Sequence, residues 1–197
     1  MKYKDAVRKR RSIYDLKKAI KISEEELIEL IEHNVKYTPS AFHSQSQRVV
    51  LLLNKKHEEF WDLTKTVLKS IVAPENFKTT SDKIEGFKAG YGTILYFDDT
   101  EVTDALIAKF TMYEENFKKW SEQQNGMLQS NIWSALAEMS IGASLQHYNE
   151  LIEKQVTKMF DIPTTWRLIA QMPFGGIGTI PDDKQFEDLK KRIIIFK

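Results

Sequence analysis

The spacing of apolar residues along the chain predicts a series of helices separated by a few strands. Residues 23–33 repeat apolar positions at helical spacing, and Ser23 with Glu26 three positions later has the pattern of a capping box. The apolar stripe of this helix consists of Leu27, Ile28, Leu30 and Ile31. Similar spacing predicts further helices in residues 2–10, 58–72, 103–148 and 150–160. Continuous aliphatic or β-branched runs predict strands in residues 48–54, 91–99, 166–176 and 192–197.

Two places interrupt the helical pattern. Proline and small polar residues break it over residues 36–47. Asn125 and Gly126 divide the 103–148 region into two predicted helices, of which the second ends near Gly142. Because helices separate the strands, the expected fold class is α+β, with a small central sheet surrounded by helices.

Length and composition indicate a globular protein with one sizeable core, since 42% of the 197 residues are hydrophobic and 29% are charged. No repeat or Pro/Gly-rich linker divides the chain, so residues 1–197 are interpreted as a single domain. The absence of cysteine excludes disulfides, thiolate metal sites and cysteine nucleophiles, and suits a reducing compartment. The longest aliphatic run, Val49 to Leu53, is far shorter than the roughly 20 residues of a membrane span, and no signal peptide is apparent. We therefore expect a cytoplasmic protein that does not bind membranes.

Positive charge is concentrated at the start of the chain. Residues 1–21 hold nine Lys or Arg and two Asp, a local net charge of +7, whereas the remaining residues carry −6. The stretch RKRRSIYDL, residues 8–16, places four cations directly before a serine. Such a basic end fits nucleic acid, an anionic membrane surface, a phosphorylated small molecule or simply a solvated cationic helix. Nucleic-acid binding, which would depend strongly on salt concentration, is the least favoured of these, and no nucleic-acid partner is expected.

Motifs for several other kinds of catalysis are absent from the sequence. The histidines His33, His43, His57 and His147 lie far apart and form no HxxxH or HExxH pattern, so no metal site is expected. G-x-S-x-G, Walker A and G-x-G-x-x-G motifs do not occur. The GGIG sequence at 175–178 lacks the following helix that a dinucleotide-binding fold requires.

Six segments together resemble the FMN-dependent nitroreductase family. RRS at 10–12, PSAFHSQSQR at 39–48 and KKR at 190–192 match the general family pattern. Three others are similar to a short branch that includes copper-induced and fungal nitroreductase-like proteins, namely KAGYGTILYFDD at 88–99, GASLQHYN at 142–149 and AQMPFGGIG at 170–178. The segments keep the family order along essentially the whole chain. The resemblance implies a nitroreductase-like α+β fold with a mostly antiparallel sheet, and an intertwined homodimer that binds FMN.

The resemblance assigns the two basic ends of the chain to the FMN phosphate. Arg10, Arg11 and Ser12 would form one side of a cradle for the phosphate and ribityl chain, because guanidinium groups present planar donors that suit a phosphate dianion. Lys190 and Arg192 would close the other side, since residues two apart on the predicted terminal strand point the same way. Binding of the single FMN phosphate would then explain why positive charge is concentrated near the N-terminus.

The loop at residues 39–45 is implied to lie against the isoalloxazine ring, reaching it from the partner subunit. Ser40, Ala41 and Phe42 match positions that flank the ring, and Gln45 matches the glutamine of the motif. His43 stands where the family usually has Asn, and an imidazole offers different hydrogen-bonding geometry and charge. The alternative interpretation of this segment is an ordinary turn.

A second segment is implied to supply backbone donors to the flavin. Residues 142–149 align with the family segment whose N–H groups face flavin N5 and O4, with Leu145 and Gln146 as candidates. Such donors would stabilise the reduced, anionic ring. Lys83 is a candidate for the N1 and O2 side. An ordinary helix C-terminus after Gly142 is the alternative interpretation.

Aromatic residues recur at threes and fours in Phe110, Tyr113, Phe117 and Trp120. This stripe is typical of a protein core or a dimer surface, and covering the flavin is a further interpretation.

The function expected is a homodimeric FMN oxidoreductase that takes hydride from NADH or NADPH and reduces nitroaromatic or quinone-type acceptors by a ping-pong mechanism. FMN would carry the chemistry, so no catalytic side chain is expected, and the nicotinamide would stack directly on the flavin. The alternative is a flavin-binding stress or regulatory protein with only incidental reductase activity.

Overall fold

The computed structural model describes residues 3–197, which form seven α-helices and five β-strands. The helices are α1 (Tyr3–Lys9), α2 (Glu24–Tyr37), α3 (Asn54–Lys69), α4 (Pro74–Lys88), α5 (Thr100–Lys109), α6 (Glu114–Glu138) and α7 (Asn149–Phe160). The strands are β1 (Leu16–Lys17), β2 (Gln47–Leu53), β3 (Gly92–Asp99), β4 (Ile141–Ala143) and β5 (Trp166–Ile177). Lys2, which belongs to the predicted helix 2–10, lies outside the described residues.

The strands form one antiparallel sheet, which confirms the expected α+β class. Four strands follow the order β1-β5-β3-β2, and β4 pairs with the C-terminal part of β5. Strand β3 lies in the middle, is buried along its whole length, and pairs with β2 on one side and β5 on the other. Strand β2 therefore forms an edge of the sheet in the single chain.

Helices cover both faces of the sheet. One core cluster joins α2 and α6 to the sheet through Leu27, Ile31, Leu128, Ile132 and Leu136. The other joins α3, α4 and α7 to it through Phe60, Trp61, Ile84, Phe87, Ile152 and Val156. Ile94 and Tyr96 of β3 belong to the first cluster. The alternate residues Leu95 and Phe97 belong to the second, as the two-residue period of a strand requires.

The capping box predicted at the start of α2 is confirmed. The Ser23 hydroxyl accepts a hydrogen bond from the Glu26 N–H at 3.1 Å, and the Glu26 carboxylate accepts one from the Ser23 N–H at 2.8 Å. Leu27 and Ile31 of the predicted stripe are buried, whereas Ile28 lies at its exposed margin. Local sequence signals are therefore sufficient to place this helix.

The predicted helix break at Asn125 and Gly126 is wrong, because α6 runs through both residues for 25 positions. The Asn125 amide donates to the Phe97 carbonyl of β3 at 3.0 Å and accepts from Gln129 at 2.7 Å, so its polar group is satisfied inside the fold. The predicted helix end near Gly142 is also wrong. Helix α6 stops at Glu138, and the following residues form β4.

The predicted terminal strand at 192–197 is also wrong for the single chain. Lys190 lies in a 3₁₀ turn at Leu189–Lys191, and residues 192–197 pair with no strand of the described chain. Lys190 and Arg192 therefore do not share a strand. A strand requires a hydrogen-bonding partner, and this apolar tail is exposed. No helix within residues 3–197 is long and apolar enough to cross a membrane.

Candidate functional site

The structure brings the predicted segments 10–12 and 142–149 together at the C-terminal end of β5. Ser12 forms a parallel bridge with Ala143 of β4, and the Ile13 N–H donates to the Ala143 carbonyl at 2.9 Å. Lys9 donates to the Ser140 hydroxyl at 2.8 Å. These contacts join positions about 130 residues apart in sequence, on one surface that carries the cationic run.

Two glycines of the recognised motifs permit this close packing. A Cβ atom at Gly142 would lie 2.9 Å from the Ile13 side chain. A Cβ atom at Gly175 would collide with the Lys17 carbonyl and would lie 2.9 Å from the Tyr91 nitrogen. Any larger residue at these two positions would therefore displace the N-terminal segment from the sheet.

The guanidinium groups of Arg10 and Arg11 are short of negative partners. The Arg10 guanidinium lies 4.4 Å from the Trp133 ring centroid, and burial together with the neighbouring Arg11 charge lowers its pKa. Arg11 donates to the Asp182 carbonyl at 2.6 Å. The Arg11 Nε and Trp133 Nε1 are buried donors with no acceptor among the described residues. Such a group of unmatched donors and adjacent cations suits an anion with several acceptor oxygens.

The C-terminal segment begins beside this basic surface. The Gly178 N–H donates to the Asp15 carbonyl, and the Thr179 N–H and hydroxyl both donate to the Asp15 carboxylate at 2.9 Å. Hydrogen bonds from Lys17 and Thr179 lower the pKa of Asp15. Within residues 3–197, no hydrogen bond or ion pair joins the Lys190 or Arg192 side chain to residues 10–12. The predicted closing of the cradle by these two residues stays a prediction.

The loop from Ser40 to Gln45 has an unusual backbone. Phe42, His43 and Gln45 have φ angles of 55°, 54° and 52°, which L-residues other than Asn and Asp seldom adopt. The Gln45 N–H donates to the Ser40 hydroxyl at 2.9 Å, and the Ala41 N–H donates to the side chain of Gln124 on α6 at 3.0 Å. Gln124 had no role in the sequence-based prediction.

Phe42 projects onto the predicted aromatic stripe. Its ring centroid lies 5.2–6.4 Å from four others, those of Phe110, Tyr113, Phe117 and Trp120. We call these five residues the aromatic cluster. Phe42 remains 54% exposed, so the cluster presents an apolar aromatic surface to its surroundings.

The loop and the basic surface contact α6 at different positions along its axis. Gln124 holds the loop, and Trp133 lies under Arg10, nine residues further along the helix. At 1.5 Å per residue this separation is about 13 Å along the helix axis. One chain therefore presents the residues predicted to face the ring and those predicted to bind the phosphate as two separate groups.

Only one of the two predicted backbone donors is free. The Gln146 N–H donates to the Gln171 carbonyl of β5 at 2.7 Å. The Leu145 N–H makes no hydrogen bond among residues 3–197, so Leu145 is the remaining candidate. The Gln171 side chain fixes the next residues, accepting from the Tyr148 N–H at 2.8 Å and donating to Asn149 at 2.7 Å. Sequence reasoning missed Gln171, since nothing local distinguishes it from other strand glutamines.

Lys83 and His43 are both exposed. Lys83 lies on α4 with its ammonium 5.7 Å from the Phe87 ring centroid, one turn before Gly86, where the helix approaches the Tyr14 carbonyl. This places Lys83 on the side of the N-terminal segment.

The His43 backbone N–H donates to the Ser40 carbonyl at 3.0 Å, which helps to close the turn.

Solved structures share this architecture, and curated relatives share the sequence along most of its length. The nitroreductase CinD from Lactococcus lactis, solved with chloramphenicol, is 37% identical, with a TM-score of 0.91 and 100% of both chains covered. Its complex with 4-nitrophenol gives 39% identity and a TM-score of 0.87, also over both whole chains. HBN1 of Saccharomyces cerevisiae is 32% identical over 189 residues, 95% of this chain and 93% of the relative.

The sequence profile of the Nitroreductase family matches residues 7–176, which include the basic segment, the 40–45 loop and β5. The yeast nitroreductase FRM2 is 27% identical over 93% of this chain and 92% of its own. These matches, the sheet order and the helix arrangement agree, and the chain belongs to the nitroreductase family, a family of flavin-dependent oxidoreductases.

Proposed function

We propose that this protein is an FMN-dependent oxidoreductase that uses NADH or NADPH to reduce nitroaromatic or quinone-type acceptors. When bound, FMN would supply the hydride-accepting and electron-donating chemistry of a ping-pong cycle, so no side chain needs to act as a nucleophile. The cysteine-free sequence favours the cytoplasm as its location. Because β5 carries both the N-terminal strand β1 and the start of the C-terminal segment, we propose that the whole chain forms one flavin-binding domain.

The observation that carries this proposal is the group of unmatched donors beside Ser12. Arg10 and Arg11 are adjacent cations, and the Arg11 Nε and Trp133 Nε1 lack acceptors among the described residues. A phosphate monoester offers several acceptor oxygens and negative charge, so these residues fit the FMN phosphate. We propose that Arg10, Arg11 and Ser12 bind the phosphate and ribityl chain, that Lys83 lies on the N1 and O2 side, and that the free Leu145 N–H donates to the ring.

We further propose a homodimer in which the tail of one chain covers the sheet edge of the other. A groove of about 860 Å³ lies beside the edge strand β2, lined by apolar side chains that include Ile28, Val35, Val49 and Leu51. The tail sequence at 193–196 is three isoleucines and a phenylalanine, between 55% and 92% exposed in the single chain. An exposed β-branched run and an unpaired apolar strand edge are complementary. In this dimer Lys190 and Arg192 would complete a phosphate site, and residues 40–45 would face a flavin held mainly by the partner.

The aromatic cluster supports a flat acceptor. Its exposed face at Phe42 suits stacking with an aromatic ring, and the related CinD has been solved with chloramphenicol and with 4-nitrophenol. His43 in the same loop is exposed and can offer one hydrogen bond to a polar substituent.

Flavin reconstitution followed by anaerobic reduction tests the proposal. The purified protein is expected to bind FMN with an absorbance band of bound flavin, and NADH or NADPH should bleach this band within one turnover. A nitroaromatic or a quinone should then restore it. Failure to bind FMN would overturn the proposal. Binding without reduction by either nicotinamide would favour the alternative, a flavin-binding stress or regulatory protein.

A further inference from the structure

Three of the four residues from Phe42 to Gln45 adopt left-handed backbone conformations, and none of the three is a glycine. Each such residue costs free energy, so the loop persists only because its surroundings hold it. Ser40 and Arg48 provide two of the restraints, accepting from the Gln45 N–H and donating to the Gln45 carbonyl. Both of these restraints lie close to the loop in sequence.

A further restraint comes from a distant helix. The Gln124 side chain is 2% exposed, and its Oε1 accepts from the Ala41 N–H at 3.0 Å. Its Nε2 donates to the Ser46 hydroxyl at 2.7 Å, and that hydroxyl donates to the buried Asp98 carboxylate at 2.6 Å. Gln124 thus joins both ends of the strained turn to α6, and through Ser46 to β3.

The donors and acceptors of this hydrogen-bond network can be arranged in only one way. A backbone N–H can only donate and a carboxylate can only accept, so Ala41 and Asp98 together fix the orientation of the Gln124 amide and of the Ser46 hydroxyl. If the Gln124 amide were flipped, its NH2 group would face the Ala41 N–H, and two donors would oppose each other. The side chain therefore sets both the position and the conformation of the loop.

We propose that Gln124 is a positioning residue that holds Phe42 in place as the wall of the acceptor site. Gln124 itself lies behind the loop and acts through its hydrogen bonds with Ala41, Ser44 and Ser46. The Phe42 ring stacks on Trp120 with an interplanar angle of 29°, one helical turn before Gln124. This inference rests on the proposed function for the identity of the site, whereas the control of the loop by Gln124 does not.

The test replaces Gln124 with methionine, which keeps the size of the side chain and removes the hydrogen bonds that its amide makes with Ala41, Ser44 and Ser46. The matched control is Gln129→Met, because Gln129 is a buried glutamine on the same helix whose amide donates to Asn125 in α6. In flavin-free protein, hydrogen exchange at the Ala41 amide should rise by roughly tenfold in Gln124→Met, the effect of losing one buried hydrogen bond. The control should leave Ala41 unchanged.

In FMN-loaded protein, Gln124→Met should raise the KM for a nitroaromatic acceptor by roughly tenfold while kcat changes by less than about threefold. FMN affinity should stay within about threefold, because the proposed phosphate contacts of Arg10 and Arg11 do not involve the 40–45 loop. A proportional loss of FMN affinity, or equal effects in Gln129→Met, would overturn the positioning role. If the protein binds no FMN, the proposed function fails, and the exchange at Ala41 still decides whether Gln124 holds the loop.

Discussion

Replacing Arg10 by alanine is expected to weaken FMN binding through the phosphate and not through the ring. The Arg10 guanidinium is oriented by the Trp133 ring at 4.4 Å, so little side-chain freedom is left to lose on binding. One hydrogen bond to a charged group contributes about 1.5–3 kcal/mol, which corresponds to roughly 10- to 150-fold in Kd. Arg192→Ala is expected to give a similar loss if the tail closes the cradle.

Lys9→Ala is the matched control, because it removes a neighbouring charge that is not assigned to the site. Its ammonium is exposed and donates to the Ser140 hydroxyl at 2.8 Å. A surface charge of this kind contributes at most about 1 kcal/mol, so the Kd should change by less than about fivefold.

The assay compares FMN with riboflavin, which lacks the phosphate, by flavin fluorescence titration of the apoprotein. Arg10→Ala should weaken FMN binding and leave riboflavin binding within about twofold. The difference between the two effects is the coupling energy between Arg10 and the phosphate, and it isolates the phosphate contact. Equal losses for the two flavins would refute a phosphate role for Arg10. Equal losses of FMN affinity in Arg10→Ala and Lys9→Ala would show that the N-terminal cations act only through their summed long-range charge.

Three further predictions concern stability and assembly. Burial lowers the pKa of His57, so folding favours its neutral form, and the free energy of unfolding should fall as the pH drops below the usual histidine value of about 6.5. His57→Gln should flatten the dependence of Tm on pH between 7 and 5, and an unchanged dependence would contradict this reasoning. Gln171→Leu leaves the Tyr148 N–H without its acceptor and should lower the free energy of unfolding by about 1–3 kcal/mol in denaturant titrations. Deleting residues 193–197 should shift the protein from dimer to monomer in sedimentation at low concentration, and an unchanged dimer would refute the tail exchange.

The elements that sequence reasoning placed correctly are those specified by neighbouring residues. The capping box at Ser23 and the continuous apolar runs of β2, β3 and β5 depend on local patterns alone. Asn125 was misread as a helix break because its partner, the Phe97 carbonyl, belongs to a strand 28 residues earlier. The tail at 192–197 was misread as a strand in the single chain because a strand also needs an edge to pair with.

The candidate site divides in the same way. Arg10, Arg11 and Ser12 were found through a motif, and the structure places them beside β4 as a group. Gln124 and Gln171 were missed because their roles arise only after folding. The bond from Ala41 to Gln124 spans 83 positions, and the bond from Tyr148 to Gln171 spans 23. No pattern in one sequence marks such a glutamine.

The pairing of Ser12 with Ala143 and of Leu16 with Ile177 has a consequence during translation. The first basic residues leave the ribosome long before either partner exists. At about 5–20 residues per second, the N-terminal segment waits on the order of ten seconds for β4 and β5. A nascent chain therefore cannot assemble the proposed phosphate cradle, and cofactor capture is expected only after synthesis is nearly complete.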